Sequence, residues 1–216
     1  GMRLIISTHA IYGWLYDLKS GGILPRFLAW VLRGADKVLS LAERARQEVI
    51  SLGVPAENTG TFTYWVNQDI FRPLDRTVCR RQLGWDNSFT VLFVGRLIAA
   101  KGVEVLLKVA EQLPDVKFIF AGDGPLHDVV SAEASSRKNL IFPGRVSNEN
   151  LPAYYSAADV VCVPSQYDEG FGRIIIESLS CGCPVIAANK GGIIEAIDST
   201  VGFLIVPDEM NISSII

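Results

Sequence analysis

Two glutamates with seven residues between them, Glu169 and Glu177, bracket the most unusual stretch of the chain: Asp168-Glu169-Gly170-Phe171-Gly172-Arg173-Ile174-Ile175-Ile176-Glu177. Gly170 and Gly172 allow a tight turn and close approach of the backbone to a ligand. The apolar run that follows has helical character and stops near Cys181-Gly182, with Pro184 two residues beyond. Free N–H groups at the start of such a helix form an anion site. Glu177 falls about a turn and a half into it, among Ile174, Ile175, Ile176 and Leu179. A carboxylate in that company needs a hydrogen-bond partner. Ligand hydroxyls would serve; so would a buried arginine, or a place at the solvent edge of the helix. A second cluster, Gly95-Arg96 with Lys101-Gly102, carries two cations between glycines. Arg96 and Lys101, with the amides of Phe171 and Gly172, suit a diphosphate. Taken singly, each is also a common surface pair.

These residues need a scaffold that brings them together. From Thr90 onward, unbroken apolar runs at 91–94, 116–120, 140–142, 160–163, 185–188 and 203–206 alternate with helical patterns near 102–112, 126–137, 150–157, 172–181 and 192–197. Apolar runs without polar alternation mark strands covered on both faces. Short connections between alternating strands and helices make the sheet parallel and doubly wound, so the fold class is Rossmann-like α/β. In the common strand order the first and fourth of the six strands are neighbours, and ligands bind beyond their carboxyl ends. The loops after those two strands are the ones that carry Arg96, Lys101 and the Glu169–Glu177 stretch. The Gly122-Asp123-Gly124-Pro125 turn after the second strand lines the same crevice or is a plain turn. No dinucleotide fingerprint follows the first strand of either half.

The preceding part reads as the end of a second Rossmann-like domain, residues 2–66. Its strands are expected at Arg3–Ser7, Asp36–Leu41 and Thr59–Val66, and its helices at Phe27–Leu32 and Ala42–Leu52. A glycine-bearing connection with Gly13, Gly21 and Gly22 joins the first strand to the first helix. Residues 67–77, with Phe71-Arg72-Pro73, are the expected interdomain linker. Residues 78–216 form the second domain, opened by a short helix that stops at Gly84.

The 216 residues are 49% hydrophobic, enough for real cores. A net charge of −3 without a basic block argues against nucleic acid. No apolar run reaches membrane-spanning length and no signal peptide is visible, which gives a cytoplasmic expectation. Cys181-Gly182-Cys183 has no second cysteine pair or histidine cluster with it, so buried thiols are expected rather than a metal. Arg26-Phe27-Leu28-Ala29-Trp30-Val31-Leu32-Arg33 has two readings, a packed helix or one lying in a membrane interface.

The motifs together resemble the retaining glycosyltransferases of family four, which have the GT-B fold of two facing Rossmann-like domains. Phe93-Val94-Gly95-Arg96 with Lys101-Gly102 resembles the family's first-strand motif. Phe120-Ala121-Gly122-Asp123-Gly124-Pro125 resembles its second-strand turn, and Glu169 with Glu177 its pair of glutamates. Gly182-Cys183-Pro184-Val185-Ile186-Ala187 and Gly191-Gly192-Ile193-Ile194-Glu195 resemble the segment after it. The resemblance implies a transfer of sugar from a UDP- or GDP-linked donor, without cofactor or metal, to a sugar or lipid-linked acceptor. Gly95, Arg96 and Lys101 would hold the diphosphate, and Glu177 the ribose hydroxyls. Glu169 would contact the sugar, with the backbone of Gly170, Phe171 and Gly172 supporting sugar and phosphate. Arg145 and Val146 would flank the base, and His9 would face the reaction centre or be a plain loop histidine.

Tyr64-Trp65-Val66-Asn67 departs from the family's pattern before the linker. The front domain's first half and the closing helices have no counterpart here, so the chain is expected to be partial, to bind donor without transferring it, and to self-associate through its front segment. A nucleotide-sugar-binding module, an epimerase and a phosphorylase are the alternatives.

Overall fold

A computed structural model describes residues 3–9 and 23–216. The connection bearing Gly13, Gly21 and Gly22 lies outside the described residues. The chain divides into two compact units. The first comprises Gly1–Tyr64, Asp168–Gly172 and Lys190–Ala196; the second comprises Trp65–Tyr167, Arg173–Asn189 and Ile197–Ile216. Two short segments that lie deep in the second half of the sequence thus belong to the first unit.

The first unit holds a parallel three-stranded sheet in the order β1 (Ile5–Thr8), β2 (Lys37–Ser40), β3 (Thr59–Thr61). Helices Ile23–Arg33 and Glu43–Ser51 make the crossovers. Leu32, Ala35, Val38, Val49 and Val54 form its core. The third strand is shorter than its Thr-, Phe-, Tyr- and Trp-rich sequence predicts. The Phe62 amide makes a last bond to the Ser40 carbonyl at 2.9 Å, and β2 itself ends at Ser40. Intrinsic strand preference cannot extend a strand whose neighbour has stopped.

The second unit holds a parallel six-stranded sheet. Its strands are β4 (Thr90–Arg96), β5 (Lys117–Asp123), β6 (Leu140–Gly144), β7 (Val160–Val163), β8 (Val185–Ala188) and β9 (Gly202–Ile205). The spatial order is β6-β5-β4-β7-β8-β9, the doubly wound order with its switch point between β4 and β7. β4 and β7 pair through Val91–Val160 and Leu92–Val161. On one face Val91, Phe93, Phe118, Phe120, Cys162 and Ile186 pack with Leu106, Val109 and Ile212 from the flanking helices. Leu92, Ile119, Val161, Val185 and Ala187 alternate with them along the strands and are also buried.

Three local departures have plain causes. The helix expected from 78 runs Arg76–Leu83, because the Asp75 carboxylate accepts the Val78 amide at 2.9 Å and starts it earlier. The helix expected at 192–197 is instead a 3-10 turn, Gly191–Glu195, which starts on two glycines. A seven-residue helix, Glu209–Ile215, follows β9 and is capped by Asp208. Its two serines and single buried residue, Ile212, give it no strong periodic signal.

The expected linker is fastened to the second unit. Phe71 is buried, with its ring 6.2 Å from that of Tyr155, and the Leu74 amide donates to Ser156 Oγ at 3.1 Å. Further along, buried Arg80 donates to the Ala157, Asp86 and Ser88 carbonyls and to Asp159. Asp159 also accepts the Thr90 amide, so one ion pair fixes helix Arg76–Leu83 to the entry points of β4 and β7.

Candidate functional site

The register between β4 and β5 runs to their very ends, pairing Gly95 with Gly122 and Arg96 with Asp123. Both strands therefore deliver their last residues to one rim. A cavity of about 380 Å³ opens there, lined by Gly95, Arg96, Asp123, Arg145, Val146 and Asn148, together with Arg173 and Glu177. Three guanidinium groups and two carboxylates line it, an excess of one positive charge. Size and charge suit an anionic small molecule with hydroxyl groups.

Glu177 is 2% exposed, and its helix, Arg173–Ser180, packs on β7 and β8. Its carboxylate has a donor on each oxygen: Tyr155 donates its phenol proton to Oε2 at 3.0 Å, and Arg173 donates Nε–H to Oε1 at 3.0 Å. Of the partners the sequence left open, an arginine is present, but it is half-exposed on the same helix rather than buried. Tyr155 is itself wholly buried. Burial, and then the neighbouring Glu177 carboxylate, push its phenol well above the ordinary range, so it stays protonated and donating.

The loop after β4 turns through a 3-10 segment, Ala99–Lys101, into helix Val103–Gln112. Gly102 sits at φ 74°, and a Cβ there would fall 2.0 Å from the Pro164 carbonyl oxygen at the end of β7. Only glycine allows these two loops to meet. The Gln166 amide donates to the Ala100 carbonyl at 2.8 Å and reinforces the junction. Lys101 Nζ lies 5.3 Å from the centre of the Tyr167 ring. It is not among the residues that line the cavity.

The remaining predicted residues belong to the first unit. His9 follows β1, with Nδ1 3.0 Å from the Tyr64 hydroxyl and its ring edge-on to Phe62. Glu169 is 7% exposed, and its carbonyl accepts the Gly192 amide at 2.8 Å. Gly191, at φ 55°, would place a Cβ 2.5 Å from the Glu169 carbonyl oxygen, so the Gly-Gly pair is what lets the 190–196 turn lie against this loop. Phe171 and Gly172 are buried and Gly170 is half-buried. Asp168 reaches Arg44 at 3.9 Å.

The structure thus brings Gly95, Arg96, Arg145, Val146 and Glu177 around one cavity. It places Glu169, Gly170, Phe171, Gly172 and His9 in the other unit. Asn148, Arg173 and Tyr155 were missed. Arg173 was legible, since it stands four residues before Glu177 on one helix face. Tyr155 had no local signal, because it reaches Glu177 from another helix.

All four cysteines are buried free thiols. Burial pushes Cys162, Cys181 and Cys183 up to about 12, which makes them poor nucleophiles and ligands.

The family described as glycosyl transferases group 1 matches residues 75–215. A D-inositol 3-phosphate glycosyltransferase of Mycobacterium sp. (strain KMS) is 35% identical over 187 residues, covering 81% of this chain and 42% of that protein. An alpha-D-kanosaminyltransferase of Streptomyces kanamyceticus is 33% identical, covering 82% of this chain and 48% of that one. The crystal structure of Anabaena HepE with UDP and glucose superposes with a TM-score of 0.82 at 26% identity, over 99% of this chain and 60% of that one. The sucrose-phosphate synthase of Thermosynechococcus elongatus gives 0.81 at 25% identity, over 99% and 57%. The chain spans about half the length of the curated relatives it matches.

Proposed function

Because this chain belongs to the glycosyl transferases of group 1, a GT-B fold, we propose that it carries the donor site for transfer of a sugar from a nucleoside diphosphate to an acceptor hydroxyl. The observation that carries this reading is the β4–β5 rim cavity, with Arg96, Arg145 and Arg173 around a doubly held, buried Glu177. A nucleoside diphosphate has the matching chemistry: two phosphates for the cations and a ribose for the carboxylate. HepE, a structural relative, has been solved with UDP.

In this reading Gly95 and Arg96 hold the diphosphate, Glu177 accepts from the ribose, and Arg145 and Val146 flank the base. Lys101 reaches phosphate from its turn, and Glu169, with Gly170, Phe171 and Gly172, meets the sugar; His9 faces the acceptor side. The bond between the anomeric carbon and the diphosphate oxygen breaks, and the acceptor oxygen bonds that carbon on the same face, which retains configuration. The acceptor's proton passes to the departing phosphate oxygen. The cations stabilise the charge that develops there, so no metal is required.

Calorimetry with UDP and GDP tests the reading. Binding of one in preference to its nucleoside is expected, and no binding of either would overturn it. In the full-length protein, Glu169→Gln should lower turnover and leave nucleoside diphosphate affinity nearly unchanged. Sustained transfer by these 216 residues alone would overturn the narrower reading of a donor-binding part.

A specific observation favours contact with a membrane surface, which in this reading is the cytoplasmic one. Phe27 and Trp30 are exposed and stacked, with ring centres 5.9 Å apart, and Arg26 and Arg33 are exposed beside them. Among the described residues no helix is long and apolar enough to cross a membrane. Co-sedimentation with anionic liposomes, lost in Trp30→Ser, is expected; none at low salt would remove the idea. Exposed Ile5 on the edge strand β1, with exposed Leu4 just before it, favours self-association, which mass measurement in dilute solution tests.

A further inference from the structure

Glu177 is held from two sides, by side chains from two different places in the chain. Tyr155 comes from helix Leu151–Ala157, and Arg173 is the first residue of the helix that carries Glu177. A carboxylate offers about four lone-pair sites, two on each oxygen. Tyr155 takes one on Oε2 and Arg173 one on Oε1. Each oxygen keeps one acceptor position, and Glu177 lines the cavity. Two neighbouring acceptors match two neighbouring hydroxyl groups, as in a ribose cis-diol. Rotation of the carboxylate would break both existing bonds, so its plane is set before any ligand arrives.

The two donors differ in strength. Tyr155 is wholly buried and Glu177 nearly so, and a hydrogen bond to a carboxylate counts for more there than at the surface. The Arg173 side chain is 54% exposed, so water competes for it. The phenol keeps its proton, because burial next to a carboxylate disfavours a second negative charge.

We infer that Tyr155 and Arg173 are positioning residues that orient Glu177 for the vicinal hydroxyls of the donor's ribose, Tyr155 more strongly. The inference rests on reading Glu177 as the ribose ligand. A purely structural role would instead be to satisfy a buried acid, and it predicts no selectivity for ligand hydroxyls.

The test compares UDP with 2′,3′-dideoxy-UDP, and GDP with its dideoxy counterpart, by calorimetry on the 216-residue chain. The readout is the affinity ratio of each pair, which does not depend on the folded fraction. Tyr155→Phe keeps the ring and removes the hydroxyl. It should weaken the ribonucleotide about two- to tenfold and leave the dideoxy compound unchanged. Arg173→Gln should reduce the ratio by about twofold. Adding Tyr155→Phe to Glu177→Gln should change the ratio no further, since the phenol acts only through that carboxylate. If Glu177→Gln lowers the ratio and Tyr155→Phe does not, or weakens both ligands equally, the positioning role is overturned while the ribose reading stands. An unchanged ratio in Glu177→Gln overturns both.

Discussion

The two sheets solve the same packing problem to different degrees. In the six-stranded sheet, β7 and β8 are buried at every residue, β4 at its first four and β5 through its centre. In the three-stranded sheet, β1 has one buried residue, Thr8, and Ile5 is 63% exposed. Parallel strands are stable when both faces are covered. The larger sheet meets that condition along β7 and β8; the smaller one meets it around Val38 and leaves Ile5 of β1 exposed. A sheet covered on both sides is a rigid frame, and its strand ends can hold side chains where chemistry needs them. The cavity with Arg96, Arg145 and Glu177 lies wholly in the unit with the better covered sheet.

The same substitution in the two units should break differently. Gly102→Ala puts a methyl group 2.0 Å from the Pro164 carbonyl oxygen at a left-handed φ, and neither loop can move without disturbing β4 or β7. The expected cost is about 3 kcal/mol or more, a drop of roughly 6–12 °C in the unfolding midpoint. Gly60→Ala in β3 meets the Leu39 Cδ2 atom at 3.1 Å, the far end of a flexible side chain. Its effect should stay within about 1 kcal/mol, because side-chain adjustment offsets the contact and alanine restrains the unfolded chain. Equal losses, measured by chemical denaturation with fluorescence and amide exchange as probes, would show that the two sheets are equally rigid.

Binding should follow the same division. Lys101→Ala should weaken a nucleoside diphosphate by roughly 10- to 150-fold, the worth of a charge-assisted hydrogen bond of about 1.5–3 kcal/mol. The free nucleoside should change little. His9→Ala, in the smaller unit, should change affinity for either by less than about twofold. A Lys101→Ala loss that is equal for diphosphate and nucleoside would show that Lys101 does not reach phosphate. A large His9→Ala effect would move part of the nucleotide site out of the six-stranded unit.

What was legible in the sequence follows from the range of the interactions. The six strands and their order could be read because fully buried parallel strands are continuous apolar runs, such as Val160-Val161-Cys162-Val163. The short helix before β4 and its stop at Gly84 were legible, though not its start at Arg76, because a glycine stop is a local signal. Thr59–Val66 misled because its strand ends where β2 ends, a fact about another part of the chain. Tyr155 was hidden for the same reason. Its partner, Glu177, is 22 residues away, and no spacing rule links them. The membership of 168–172 and 190–196 in the first unit could not be read at all, since it depends on contacts between residues far apart in sequence, such as the Glu43 and Arg44 amides with the Glu195 carboxylate and Arg44 with Asp168.

The smallest expected difference concerns acid. Each unit has an exposed carboxylate held below its ordinary range. Asp86 is lowered to about 2, first by the Ser88 amide and hydroxyl and then by Lys117, which lies at 3.0 Å. Glu43 is lowered by Gln47 and Arg46. A depressed pKa means that the folded state binds the proton less readily than the unfolded chain does. The stabilisation is therefore complete above the unfolded value and is lost as pH falls through the folded one. For Asp86 the loss runs from about 3.8 down to about 2; for Glu43 it begins near 4.5. Both side chains face solvent, so the contributions are small and weaken with salt. Asp86→Asn should flatten the acid limb of the denaturation profile below pH 4, read from amides in β4 and β5. Glu43→Gln should flatten the limb just below 4.5, read from amides in β2. If either substitution flattens the profile equally in both sheets, the two units unfold as one, and the difference in covering between them has no thermodynamic consequence.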